Sequence, residues 1–143
     1  MRKMNVNLSK THKAYFSAAD AMSKLSNFDR IHIGAVAVYK HKIISSGFNS
    51  TKTNPLQKKI NKCRFDDDTP HCLHAETSCL LPLMCRKDID FSSITLYTHR
   101  RYANGELGPS RPCKSCMSLI KSLGIKNIYY TNDGSYVHEE IVY

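Results

Sequence analysis

Pro112-Cys113-Lys114-Ser115-Cys116-Met117-Ser118-Leu119-Ile120-Lys121-Ser122-Leu123-Gly124 and, just beyond, Asn127-Ile128-Tyr129-Tyr130-Thr131 carry the architectural signal of this 143-residue chain. The first run predicts a helix from about Cys113 to Leu123, stopped by Gly124, since glycine readily adopts the left-handed conformation past a helix end. The second predicts a short strand, and Ser93 to His99 upstream predicts another. A helix between two strands is what a parallel crossover requires.

Working outward, Ser9 to Leu25 predicts a helix. Ser9 or Thr11 is a candidate cap, and Ala14, Ala18, Ala21, Met22 and Leu25 recur at helical spacing. Ile33 to Tyr39 and Lys42 to Ser46 read as an antiparallel hairpin turning at His41, and Gly47 to Pro70 as a long polar loop. His71 to about Leu81 is the next helix, which Pro82 must kink or end because proline lacks the N–H. The turn Asn132-Asp133-Gly134 predicts a last strand, Tyr136 to Val142, antiparallel to its predecessor. The expectation is one α/β domain spanning residues 1–143, with a mixed five-stranded sheet whose last strand is antiparallel.

Composition narrows the function classes. Apolar residues at 41% and charged residues at 23% are ordinary for a folded domain and too apolar for disorder. Ala35–Tyr39 and Leu80–Cys85 fall far short of the ~18 apolar residues a spanning helix needs, so no membrane partner is expected. The polar start argues against a secretion signal, so the expected location is the cytoplasm. In that reducing compartment the six cysteines are expected to bind metal or pack, not to form disulfides.

The net charge of +9 is concentrated in Lys40, Lys42, Lys52, Lys58, Lys59, Lys62 and Arg64. Such a block suits an anionic partner, a nucleotide phosphate or a nucleic-acid backbone, or is simply a solvated face.

Two segments carry chemistry: His74-Ala75-Glu76, and Pro112-Cys113-Lys114-Ser115-Cys116. Cysteines three apart share a helical face, and a helix N-terminus favours the metal-binding thiolate. A thioredoxin-like redox pair shares that spacing but does not need His74 or Glu76. One histidine and two cysteines leave a fourth position open, the pattern of catalytic zinc. Glu76, two residues from His74, does not face the same way and is placed to move protons on a metal-held water.

The spacing His-x-Glu followed by Pro-Cys-x-x-Cys is that of the nucleobase zinc deaminases. The chain resembles the cytidine and deoxycytidylate deaminase superfamily over roughly residues 10 to 131. Ile33-Gly34-Ala35-Val36 is similar to that family's first strand, and Ser46-Gly47-Phe48-Asn49 to the turn after its second.

The resemblance implies a three-layer cytidine-deaminase-like fold, with zinc on His74, Cys113 and Cys116. A zinc-held hydroxide would attack the ring carbon bearing the amino group, with Glu76 as proton shuttle. It also implies that the Ala75 N–H holds the base carbonyl and that Asn49 contacts sugar or base, although Gly-Phe-Asn is also ordinary turn chemistry. An antiparallel last strand resembles the relatives that act on free nucleosides, and self-association is implied by resemblance alone.

Arg30, Lys52 and Arg111 are the candidates for phosphate contact. The loop Arg100 to Arg111 is longer than the family's usual link; Arg100, Arg101, Tyr102 and Arg111 make it a phosphate or stacking surface, an oligomer contact or a solvent flap. Cys79 and Cys85 are expected to be buried packing residues. Cys63, His71 and Cys72 are a weaker set for a second metal, as some deoxycytidylate deaminases carry.

The expected function is hydrolytic deamination of cytosine in a free nucleoside or nucleotide. The rivals are a deaminase of single-stranded DNA or RNA, an adenosine-type substrate, and a non-catalytic zinc module that binds nucleic acid.

Overall fold

The structure, a computed structural model, describes residues 2–5, 8–61 and 72–143. In chain order these form β1 (Arg2–Asn5), α1 (Lys10–Ser23), β2 (Ile33–Tyr39), β3 (Lys42–Phe48), β4 (Ser50–Thr53), α2 (Pro55–Asn61), β5 (Cys72–Leu73) and α3 (Ala75–Leu80). Two 3₁₀ turns, Leu81–Leu83 and Phe91–Ser93, lead to β6 (Ile94–Arg100), α4 (Lys114–Leu123), β7 (Asn127–Asn132) and β8 (Ser135–Glu140).

The main sheet is six-stranded, in the order β1-β8-β7-β6-β2-β3, and β4 pairs with β5 in a small second sheet. Its parallel pair is β6–β7, joined by α4, as the crossover requires. β8 returns antiparallel to β7 through Gly134, whose φ of 74° is of the kind glycine tolerates.

β2 is buried on both faces because helices cover both. Val36 and Val38 pack with Phe16 and Ala19 of α1, whereas Ala35 and Ala37 join the core of α3 and α4. The layers are therefore α1, sheet, and α2 to α4.

Two close approaches fix those layers. A Cβ on Gly34 would lie 2.0 Å from the Ala19 carbonyl oxygen, and one on Gly47 would lie 2.4 Å from the Cys79 nitrogen. Only a residue without a side chain lets α1 and α3 sit this near the sheet.

The structure corrects several expectations. The sheet has six strands, not five, because polar Arg2–Asn5 pairs with β8 at the sheet edge. Within the expected 47–70 loop lie β4 and α2. Asn54 caps α2, its Oδ1 accepting from the Leu56 and Gln57 N–H groups. The helix expected from His71 starts at Ala75, and Pro82 falls in the 3₁₀ turn that ends it.

Helix α1 ends at Ser23, which leaves Leu25 exposed; its buried face is Phe16, Ala19 and Ser23, not Ala14 and Ala21. Cys79 is buried as expected, but Cys85 is exposed, just past the 3₁₀ turn whose Leu83 still packs in the core. Lys62, Cys63, Arg64 and His71, and with them most of the second metal set, lie outside the described residues. Among the described residues no helix is long and apolar enough to cross a membrane.

Candidate metal centre and active-site pocket

The first turns of α3 and α4 face each other. His74 is the N-cap of α3 and Cys113 the N-cap of α4, both with extended backbone, so their side chains project just before the helices begin. Cys116 follows one turn into α4. His74 Nδ1 lies 3.5 Å from Cys113 Sγ and 3.3 Å from Cys116 Sγ, and the three donor atoms all fall within 4.8 Å of one another.

Supports surround this cluster. The His74 N–H donates to Oε1 of fully buried Gln57 at 3.1 Å, and Gln57 Nε2 donates to Asn61 Oδ1 at 3.0 Å. Helix α2, unforeseen in the sequence, thus anchors the start of α3. Thr77 Oγ1 lies 3.7 Å from Cys116 Sγ, and Ser45 Oγ donates to the Cys79 carbonyl at 2.6 Å, tying α3 to β3.

Electrostatics match the geometry. The hydrogen bond with Cys116, assisted by His74, holds the Cys113 thiol at about 3 against the opposing effect of burial. Cys116, on the other side of that bond and buried, is pushed up. The two shifts thus favour the thiolate on Cys113 and the thiol on Cys116. An imidazole nitrogen and two sulfurs at this separation fit zinc, with three protein ligands and room for a fourth.

Glu76 is only 4% exposed. Burial raises its carboxyl above the usual range, partly countered by the His74 charge.

His74, Glu76 and Cys113 line a cavity of about 370 Å³, a size suited to a small ligand. Of the expected substrate contacts, Asn49, Ala75 and Arg111 line it as well. The Asn49 amide also serves the fold: Oδ1 accepts from the Ile33 N–H at 2.9 Å and Nδ2 donates to the Ile31 carbonyl at 2.8 Å. Arg111 donates Nε and Nη2 to the two carboxylate oxygens of Glu139, each at 2.9 Å. Arg30 lines a different cavity beside Asp20 and Arg101, and Lys52 is exposed on β4.

The family model described as "Cytidine and deoxycytidylate deaminase zinc-binding region" matches residues 9–132. The chain belongs to this deaminase family. Over 125 residues it is 30% identical to deoxycytidylate deaminase of Schizosaccharomyces pombe, covering 81% of this chain and 35% of that protein. It is 29% identical over 125 residues to the ComE operon protein 2 of Bacillus subtilis, covering 83% of this chain and 58% of that one. The chain thus spans about a third and somewhat over half of these two relatives' lengths.

Among solved structures, the dCMP deaminase of cyanophage S-TIM5 in apo form superposes with a TM-score of 0.62 at 25% identity, covering 88% of this chain and 86% of that one. Its complex with dCMP and dUMP gives 0.59 at 25%, with coverage of 87% and 83%. Cytidine deaminase from Burkholderia pseudomallei gives 0.61 at 19%, with coverage of 90% and 91%, and so shares the fold.

The cavity includes residues that local sequence does not reveal. Phe28, Ile31 and Ile33 form an apolar wall, and Pro109 and Ser110 lie on the approach to the cysteines. Ser110 is a buried latch: its Oγ accepts from the Thr131 N–H at 2.8 Å, and its carbonyl accepts from Thr98 Oγ1 at 2.8 Å. Phe28 and Ile31 sit in a loop with no periodicity to mark them; Arg100, expected with Arg101, Tyr102 and Arg111 as a phosphate or stacking surface, an oligomer contact or a solvent flap, lines the cavity.

Proposed function

We propose that this chain hydrolyses the amino group from a cytosine base in a free nucleoside or nucleotide, giving the uracil-type product and ammonia. The observation that carries the reading is the meeting of His74 Nδ1, Cys113 Sγ and Cys116 Sγ in the same cavity as buried Glu76.

His74, Cys113 and Cys116 are the residues that would hold zinc. Zinc there supplies Lewis acidity, which can bring the ionisation of water from a pKa of about 15.7 to near 7. Glu76 accepts a proton from the attacking water and delivers it to the ring nitrogen, then takes the remaining proton from the hydroxyl added to the ring carbon and passes it to the amino group, which leaves as ammonia. Its burial favours the protonated form it must pass through. The Ala75 N–H is assigned to the base carbonyl and Asn49 to the sugar, a reading supported by both residues lining the cavity. Phe28, Ile31 and Ile33 give the base an apolar wall that excludes water. The antiparallel β7–β8 hairpin supports a free substrate, the arrangement that the sequence resemblance linked to such enzymes.

The test is product mass and ammonia release from zinc-loaded protein given cytidine, deoxycytidine, CMP, dCMP, adenosine and a short cytosine-containing single strand. Turnover of a free cytosine compound, reduced about 10²- to 10⁴-fold in Glu76→Gln, is the expected result for a general acid–base residue. Turnover of the strand alone makes the enzyme a polynucleotide deaminase. Equal inertness of wild type and variant with zinc bound overturns the catalytic reading.

A further inference from the structure

The cavity holds two arginines in different electrostatic states. Arg111 faces Glu139, a fully buried carboxylate that matches its charge through two bonds of 2.9 Å. Arg101, next along the chain, pairs with Asp20 at 3.5 Å. Among the described residues no carboxylate lies within ion-pair distance of Arg100.

Arg100 is also held in place. It ends β6 on the same face as Thr98 and Leu96, pairs with Ile33 of β2, and donates its N–H to Thr131 Oγ1 at 3.1 Å. Its guanidinium lies over the Tyr102 ring, 5.3 Å from the centroid, and the Tyr102 hydroxyl donates to Asp133 at 3.1 Å. Gly108 lets the stem lie flat: a Cβ there would come within 3.3 Å of Arg100 Cγ and Cδ. Stacking uses the guanidinium face and leaves its N–H edge for an anion.

Exposure gives the cavity its depth. Glu76 and Arg100 line the same cavity, the first buried and the second half-buried, so a base seated against Glu76 leaves Arg100 for the more exposed part of the substrate. We propose that Arg100 is the specificity-determining residue that binds a phosphate carried on the sugar, so that the substrate is a cytosine nucleoside 5′-monophosphate. This rests on the deaminase reading above. A polynucleotide fits less well, because tracking a backbone takes several cations in a line. Lys40 and Lys42 stand at the far end of the β2–β3 hairpin from Ile33, and Lys52 is outside the cavity lining.

The experiment pairs calorimetric binding of the uracil-type products with turnover of the cytosine compounds, on zinc-loaded full chain. The probes are UMP, dUMP, uridine, deoxyuridine and a five-nucleotide single strand, and the proteins are wild type, Arg100→Ala and Arg100→Lys. Wild type should bind the monophosphates about 10- to 100-fold more tightly than the nucleosides, the range of a charge-assisted contact. Arg100→Ala should remove that advantage, with nucleoside binding reporting the fold, and Arg100→Lys should restore part of it.

Nucleosides bound as tightly as monophosphates by wild type overturn the proposal. Equal weakening of both by Arg100→Ala, or strand binding that exceeds mononucleotide binding, does the same. If no cytosine compound is turned over while UMP binding still depends on Arg100, the deaminase reading fails and the phosphate site stands.

Discussion

His74 and Cys113 occupy equivalent positions in two different helices: each is the extended residue immediately before the first turn, with ψ of 156° and 170°. The side chain of an N-cap residue points back across the helix end. Two helices set end to end therefore bring these donors together without any unusual backbone. The Cys113 thiol is depressed first by its hydrogen bond with the Cys116 side chain and then by His74, and the Cys116 backbone N–H adds to this, as suits a helix N-terminus that favours negative charge.

Replacing a donor should remove the metal. Cys113→Ser and Cys116→Ser should each lower zinc affinity by more than about 100-fold, beyond the loss usual for supporting residues alone. Bound zinc measured by atomic emission after dialysis against a weak chelator checks this. Retention of one zinc per chain in both variants would assign the metal to other residues.

Gly47→Ala should strain the contact between α3 and β3, because the added carbon meets the Cys79 nitrogen at 2.4 Å and the Ala75 carbonyl oxygen at 2.8 Å. Backbone atoms cannot step aside as a side-chain tip can. A loss of about 1–3 kcal/mol is expected, as in other overpacked sites. Urea unfolding reads it, and an unchanged midpoint would mean that α3 shifts freely.

Glu139→Gln should be costly for a different reason. Burial alone would raise the Glu139 carboxyl, but hydrogen bonds from Arg111 and Tyr130, with the Arg111 charge, hold it below the usual 4.5. A neutral glutamine no longer balances the Arg111 charge from a buried position; because that guanidinium is 38% exposed, about 2–3 kcal/mol is expected, at or below the low end for buried pairs. A depressed carboxyl contributes fully above 4.5 and loses its contribution as pH falls through its folded value. The gap between wild type and variant in urea midpoint should therefore close on the acid side of pH 4.5 and stay constant above it.

His99 should make the protein acid-sensitive earlier. Burial lowers its pKa from 6.5 to about 4, with Asp20 acting upwards and Arg101 downwards. A histidine kept neutral by folding takes its proton first in the unfolded chain. Stability is thus full above 6.5 and declines as pH falls towards 4, by up to about 3 kcal/mol. Urea midpoints at pH 7 and pH 5 should differ clearly in wild type and much less in His99→Gln. Equal drops in the two proteins would place the acid sensitivity elsewhere.

Much of this was readable because the signals are local. The β2–β3 hairpin, β6, α4 with Gly124, and the antiparallel β7–β8 turn each follow from periodicity or turn chemistry within about a dozen residues. The three sulfur and nitrogen donors were readable for a similar reason, since spacing and residue type define them. β1 was not: Arg2–Asn5 is polar, and the neighbour that makes it a strand is β8, at the other end of the chain. Helix α2 did have a signal, Asn54 before Pro55, a capping residue followed by proline at the first helical position, hidden within a basic polar run. The positions of Phe28, Ile31 and Arg100 around one cavity depend on how distant segments meet, which no local window contains.

The segment between Arg100 and Ser110 is anchored at both ends: the Gly108 N–H donates to the Arg100 carbonyl at 2.8 Å, and Ser110 Oγ donates to the Thr98 carbonyl at 3.1 Å. Residues 101–107 are thus an excursion that leaves and re-enters the fold at nearly one point. Closing a longer excursion costs little more, because loop entropy grows only with the logarithm of length. Exchanges there can move the Tyr102 ring under Arg100, and through Arg100 the cavity wall, while the cysteines stay where they are. This gives the chain a way to change what it admits without rebuilding its chemistry.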